Sequence, residues 1–149
     1  MLVLRILGSL LASIALLAIL LYVFLNVHPA AWEYARQFSA GRAPEPLLGV
    51  YDGTLLAPPL PTSWKGKVFR PDGTGANRVG DAESYPFRHA IRDDRLVLDY
   101  AQDANPWWLK QIEDQIVAQE DGSLLGRITL RVGPWRMPLG WFTIVPAAP

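Results

Sequence analysis

One histidine and three serines are the side chains that could carry nucleophilic catalysis in residues 47–149 of this sequence. The histidine is His89, and the serines are Ser63, Ser84 and Ser123. A catalytic triad needs a serine in a nucleophile motif, a histidine base and a carboxylate that orients the base. None of these serines lies in a recognisable nucleophile motif. The sequence therefore predicts that the protein is not an enzyme of this class.

His89 and a group of carboxylates are the candidates for holding a metal or a haem. Asp93, Asp94, Asp99 and Asp103 lie close together in the chain. Their spacing matches neither the alternating ligands of a calcium loop nor a pair suited to acid–base work. A haem would use His89 as an axial ligand, and Tyr85 or Tyr100 could assist, but no haem-binding motif accompanies His89. We therefore expect no catalytic residue, no metal site and no cofactor.

Tryptophan is the residue type with most to contribute to binding. The chain has six tryptophans, at Trp32, Trp64, Trp107, Trp108, Trp135 and Trp141. Such residues can fill a small core, line a pocket for an apolar ligand or enter a bilayer, and most are expected in the core. Trp107 and Trp108 are adjacent, so in an extended segment they point in opposite directions. That pair is the predicted contact surface for a membrane, a ligand or a protein partner.

Charge and cysteine content exclude several other functions. The 14 basic and 14 acidic residues cancel, and no basic stripe follows a strand or helix. Nucleic acid is therefore not an expected partner. The chain has no cysteine, which removes thiol catalysis, thiolate metal sites and disulfides.

The N-terminal part of the sequence predicts a membrane anchor. Residues 6–25 read ILGSLLASIALLAILLYVFL and carry no charge. As a helix this segment would span about 30 Å, the thickness of a bilayer hydrocarbon core. The apolar run is longer than a signal-peptide core, and no small-x-small cleavage site follows it. We therefore predict an uncleaved, single-pass transmembrane anchor over residues 1–27.

The charges that flank this segment decide the expected orientation. Arg5 precedes the segment, and His28, Glu33, Arg36 and Arg42 follow it. The basic charges are nearly balanced, so the positive-inside rule favours neither side strongly. Because an N-terminal anchor with a short head usually leaves that head in the cytoplasm, we expect the C-terminal domain on the outer side of the cell membrane, periplasmic or extracellular.

A spacer separates the anchor from the main domain. In residues 28–46, the stretch AAWEYARQFS predicts a short helix with Pro29 at its start and Gly41 just past its end. The following GRAPEP reads as a stiff linker. We place the boundary of the main domain at residue 47 and expect that domain to extend to residue 149.

Residues 47–149 show the period of β-strands. LLGRITLRV alternates apolar and polar residues, and RLVLDY places Leu96, Leu98 and Tyr100 on one face. In SWKGKVF the same alternation places Trp64 and Val68 opposite the two lysines. Asp-Gly pairs and other turn residues separate the runs. Seven or eight antiparallel strands, closed as a barrel or packed as a sandwich, are therefore predicted, with one short helix in NPWWLKQIED.

The opening of this domain resembles that of the small lipocalin-like (calycin) proteins. PEPLLGVYDGTLL contains Gly-x-Tyr-x-Gly, with Tyr51 where that group has tryptophan, and WKGKVF follows it. DQIVAQEDGSLLGRITL is similar to the group's late strand pair. The resemblance implies an all-β fold, a small antiparallel barrel, with Tyr51 plugging one end and an apolar cavity inside.

Two function hypotheses follow from these patterns. The first is a non-enzymatic, membrane-tethered barrel that binds a lipid or other apolar small molecule at the membrane surface. Its expected ligand-binding residues are Tyr51, Trp64, Val68, Leu98, Trp107, Trp108, Ile128 and Trp141. The second is an accessory protein that binds another membrane or envelope protein, which predicts a filled barrel and an exposed apolar patch including Trp107, Trp108 or Trp135.

Overall fold

A computed structural model describes residues 8, 12–13, 15–20, 22–23, 28–57 and 62–148. The predicted anchor over residues 6–25 therefore lies partly outside the described residues. Those of its residues that are described are helical. Across the described part of the chain, no helix combines the length and the apolar character that crossing a membrane requires.

One helix and eight strands make up the rest of the fold. The elements are α1 (Pro29–Ala40), β1 (Gly49–Ala57), β2 (Trp64–Phe69), β3 (Thr74–Val79), β4 (Ala82–Arg92), β5 (Arg95–Asp99), β6 (Ile112–Ala118), β7 (Leu124–Val132) and β8 (Trp135–Pro146). A single 3-10 turn, Leu109–Gln111, precedes β6, where a short helix is expected. Every strand is antiparallel to the next, and β8 pairs with β1 to close the barrel. The predicted all-β barrel is confirmed, and its architecture is consistent with a lipocalin-like fold.

Turn residues define the two ends of the barrel. The turns at residues 70–73, 93–94 and 119–123 lie at one end, which we call the closed end. Asp93 and Asp94 both have positive φ, as a two-residue hairpin turn requires. The connections at residues 80–81, 100–111 and 133–134 lie at the opposite end, which we call the open end. Residues 57 and 64, which flank the β1–β2 connection, also lie at the open end.

Aromatic rings fill the closed end. The ring of Tyr51 meets Phe69 edge-on with centroids 5.4 Å apart, and Phe69 in turn packs on Phe87 at 5.5 Å. Leu96 and Leu98 of β5 face the same core, as their alternation predicts. Tyr51 thus stands where a plug is expected, inside one end of the barrel.

The β2 strand departs from the predicted alternation. Trp64 pairs with Val79 and Gly66 with Arg78, so Lys65 is one extra residue in β2. A bulge of this kind reverses the facing of every residue after it. Lys67 therefore points into the barrel, and the expectation that Val68 faces the interior is wrong.

Helix α1 lies against the outside of the barrel. Phe38 packs with Val117, Leu125 and Trp141, and its ring is 5.6 Å from that of Trp141. The neighbouring Phe142 faces inward over Gly126, so strand alternation turns Trp141 outward. The expectation that Trp141 lines the cavity is therefore wrong, because the helix covers it.

Substitution of Gly66 should weaken the barrel strongly. Gly66 has φ +138°, and a Cβ there would collide with the backbone of residues 51–53. We expect Gly66→Ala to lower the free energy of unfolding by about 2–4 kcal/mol, measured by urea denaturation of the full chain in detergent. Gly122→Ala is the matched control, since φ is also positive there but the space is open. Equal losses in the two variants would contradict the bulge as described.

Candidate functional site

A cavity of about 380 Å³ occupies the open end of the barrel and is partly open to solvent. Its wall is mainly apolar. The apolar residues that line it are Leu55, Trp64, Val79, Leu109, Ile112, Ile128 and Phe142. The aromatic rings of the closed end, including Tyr51 and Phe69, are not part of this wall. The interior is therefore filled at the closed end and hollow at the open end.

A buried ammonium group forms the centre of the polar part of the wall. Lys67 is 2% exposed, and its Nζ donates hydrogen bonds to Asp114 Oδ2 at 2.7 Å, Tyr100 Oη at 2.8 Å and Asn77 Oδ1 at 2.9 Å. These three acceptors use all the protons of the ammonium group. Lys67 and Asp114 therefore form an ion pair inside the barrel, shielded from water.

The neighbours of Lys67 are also bonded to one another. Tyr100 Oη donates to Asp114 Oδ2 at 2.8 Å and accepts from Asn77 Nδ2 at 3.0 Å. Trp64 Nε1 donates to Asn77 Oδ1 at 2.9 Å. We call Lys67, Asn77, Tyr100 and Asp114 the polar cluster. Because each member bonds to at least two others, the cluster fixes the positions of these side chains on the cavity wall.

Burial governs the protonation of the polar cluster. Burial raises the pKa of the Tyr100 hydroxyl well above its usual value, and the nearby Asp114 carboxylate adds to the effect. Tyr100 is therefore a neutral donor across the physiological range. Burial lowers the pKa of Lys67, an effect that the Asp114 carboxylate opposes. The rings of Trp64 and Phe142 face the ammonium group, with centroids 5.5 and 5.0 Å from Nζ.

One oxygen of the cluster is available to a ligand. Asp114 Oδ2 accepts from both Lys67 and Tyr100, whereas no described residue donates to Oδ1. Asp114 lines the cavity and keeps a small exposed fraction. A carboxylate oxygen in this setting accepts a hydrogen bond from a hydroxyl or N–H group. The arrangement can orient a ligand on the cavity wall.

The structure brings together only some of the residues expected to bind a ligand. Trp64 and Ile128 line the cavity. Tyr51 and Leu98 face the interior but lie in the filled core. Val68 and Trp141 lie on the outer surface of the barrel. Trp107 and Trp108 are exposed at the open end.

Sequence reasoning missed the polar cluster as a unit. The alternation of RLVLDY places Tyr100 on the same face as Leu96 and Leu98, but the alternation of SWKGKVF places Lys67 opposite Trp64 and Val68. The sequence patterns give no role to Asn77 or Asp114. One signal was present: Gly66 inside an otherwise regular strand is typical of a bulge. No pattern in the sequence pairs Lys67 with Asp114, which lies 47 residues further along the chain.

The side chains that could ligate a metal are not grouped near the cavity in the described part of the chain. Within the residues that the structure describes, no group of three or more His, Asp or Glu side chains could hold a metal ion. His89 packs between the rings of Phe69 and Phe87 at the closed end, and its Nε2 is buried without a hydrogen-bond partner. That position is separate from the cavity wall.

Comparison with known proteins identifies no relative. No protein-family model, no curated protein and no solved structure matches this chain. The likeness to lipocalin-like proteins therefore rests on the closed eight-stranded barrel and on the sequence around Tyr51. The function has to be argued from the cavity itself.

Replacing one partner of the buried ion pair should lower the free energy of unfolding more than replacing both partners. Asp114→Asn leaves the Lys67 ammonium without a counter-charge, and we expect a loss of about 3–5 kcal/mol in the free energy of unfolding. The double variant Lys67→Met/Asp114→Leu should lose less, because neither charge is then buried. Urea denaturation of the full chain in detergent measures both. Asp81→Asn, which breaks the exposed pair of Asp81 with Lys65, is the control and should change stability little. A double variant less stable than Asp114→Asn would contradict this account.

Alkaline pH should destabilise the barrel through Tyr100. Its pKa is raised in the folded state, so above about pH 10 the unfolded chain loses the phenolic proton while the folded chain keeps it. The contribution of Tyr100 to stability is complete below that pH and falls as pH rises further. Titration by phenolate absorbance should show Tyr100 ionising only when the protein unfolds. Tyr100→Phe should abolish that late step, and Tyr85→Phe should retain it.

Proposed function

We propose that this protein is a membrane-tethered β-barrel that binds a lipid or another apolar small molecule in the cavity at its open end. The observation that carries the proposal is the cavity of about 380 Å³, whose wall is largely apolar and includes one polar cluster. Small-molecule sites are typically concave and apolar, with a few fixed polar groups that set orientation. Binding, rather than catalysis, is the function that this geometry supports.

The chemistry of the wall favours an amphipathic ligand. Leu55, Ile128 and Phe142 offer an apolar surface, which stabilises a bound hydrocarbon group by removing it from water. Asp114 Oδ1 offers an acceptor that an apolar ligand would leave unpaired, at a cost in free energy. A ligand with an apolar body and one hydroxyl or N–H group satisfies both parts of the wall.

The proposed tether is the apolar segment at residues 6–25. Its length and lack of charge are those of a helix that spans a bilayer. An anchored barrel would hold its cavity close to the lipid phase, where apolar ligands are concentrated. We place the barrel on the outer side of the membrane, periplasmic or extracellular, as a non-enzymatic binding module.

A second candidate function is an accessory protein for another membrane or envelope protein. The observation in its favour is the exposure of Trp107, Trp108 and Trp135 at the open end, since exposed aromatic residues are common in protein interfaces. This hypothesis predicted a filled barrel, whereas the described barrel contains a cavity. We call ligand binding in the cavity the carrier function. It accounts for both the exposed tryptophans and the cavity, and it is therefore preferred.

Filling the cavity should remove the ligand. Ile128 lines the cavity, and Ile128→Trp would place an indole ring in that space. We expect the full chain, extracted in mild detergent, to carry a small molecule that native mass spectrometry detects and denaturation releases. The occupied fraction should fall at least about tenfold in Ile128→Trp, which corresponds to a loss of at least about 1.4 kcal/mol of binding free energy.

Ile91→Trp is the matched control, because it makes the same change at an exposed position outside the cavity. It should keep the ligand at the wild-type level. A wild-type protein that carries no releasable mass, with all three proteins folded by circular dichroism, would argue against the carrier function and for the accessory-protein function.

A further inference from the structure

Large aromatic side chains are exposed around the cavity mouth. Trp107 is 80% exposed, Trp108 51% and Trp135 72%. Trp107 and Trp108 lie in the β5–β6 connection, and Trp135 begins β8, so all three are at the open end. Tyr85, which lines the cavity, lies 6.5 Å from Trp108 between ring centroids. We call Tyr85, Trp107, Trp108 and Trp135 the aromatic rim.

The aromatic rim has the chemistry of a bilayer interface. An indole ring combines an apolar body with one N–H donor, and tryptophan and tyrosine concentrate at the headgroup level of membranes for that reason. A surface of this kind exposed to water would lose the stabilisation that burial of the rings provides. Insertion to the headgroup level buries the rings and leaves their polar atoms hydrated.

Helix α1 runs along the barrel wall, with its C-terminus at the closed end. Just after α1, Arg42 pairs with Ala118, the last residue of β6, at the closed end. Tyr34, about two turns earlier, packs on Trp141, further along the barrel wall toward the open end. At about 1.5 Å per residue, the 12-residue helix spans about 18 Å. Its first residue, Pro29, therefore lies nearer to the open end than its last residue, Ala40.

Charge does not oppose docking through the open end. The closed-end turns carry five carboxylates, at Asp72, Asp93, Asp94, Glu120 and Asp121, and four arginines at the same end, Arg42, Arg70, Arg92 and Arg95, offset most of that charge. At the open end, Asp81 and Asp103 each form an ion pair with a lysine, and Arg136 bonds only to backbone carbonyls of the described residues. Arg136 is therefore available to anionic headgroups at the open end.

We propose that the open end of the barrel docks on the bilayer, with the aromatic rim at the headgroup level and the cavity mouth facing the lipid. This inference rests on the tether of the proposed function but not on the ligand. The partner is the lipid surface in which the N-terminal segment is anchored. In this orientation a ligand passes between bilayer and cavity without crossing bulk water.

Site-directed spin labelling of the full chain tests the orientation. The chain has no cysteine, so each introduced cysteine carries the only label. The variants are Trp107→Cys and Trp135→Cys on the rim, Glu120→Cys at the closed end as the matched exposed control, and Leu17→Cys in the N-terminal segment. Each is reconstituted in liposomes of phosphatidylcholine and phosphatidylglycerol, and power saturation measures access of oxygen and of a water-soluble nickel chelate.

We expect the ratio of oxygen to nickel access to be several-fold higher at both rim labels than at position 120, and highest at position 17. Rim labels as accessible to nickel as the label at position 120, with position 17 still in lipid, would overturn the docking and leave the tether intact. A water-exposed label at position 17 would overturn the tether and the docking together. Rim labels shielded from both reagents would indicate contact between copies of the chain and would also overturn the docking. None of these outcomes alters the native mass measurement, so ligand binding stands or falls separately.

Discussion

The ion pair between Lys67 and Asp114 is the interaction on which the interior of this barrel depends. Its two charges lie 2.7 Å apart with almost no exposure to water. Such a pair is stabilised where further hydrogen bonds use the other protons of the ammonium group and support the carboxylate. Tyr100 and Asn77 supply those bonds, and Trp64 completes the coordination of Asn77. The cavity wall is therefore rigid at the place where a ligand would meet it.

The polar cluster lies between the filled and the hollow part of the barrel. Toward the closed end, Tyr51, Phe69 and Phe87 fill the space, with Tyr51 edge-on to Phe69 and Phe69 tilted against Phe87. Toward the open end, apolar side chains surround a space that no described side chain fills. The cluster lies at this boundary, where it supplies fixed polar groups to one side and leaves the ring packing of the other side undisturbed.

The sequence predicted the fold better than the site. Alternation in β5 placed Leu96 and Leu98 inside correctly, because a regular strand has a side-chain period of two. The same reasoning failed in β2, since the extra residue Lys65 reversed the facing of Lys67 and Val68. Trp141 was misplaced for a different reason: an outward tryptophan is buried only because α1 covers it. The pairing of Lys67 with Asp114 depends on closure of the whole barrel, which no local pattern encodes.

The packing of α1 on the barrel wall limits how far the protein can reach. Phe38 lies in the contact with Val117 and Trp141, and the guanidinium groups of Arg95 and Arg127 cover its ring at 4.9 and 4.5 Å. The helix is therefore packed on the barrel wall and does not act as a flexible linker of 12 extended residues. Under the tether that we propose, the 12 residues of α1 therefore add no extended length between the bilayer and the barrel. The expected ligand source is then the adjacent leaflet of the same membrane and not a second, facing membrane.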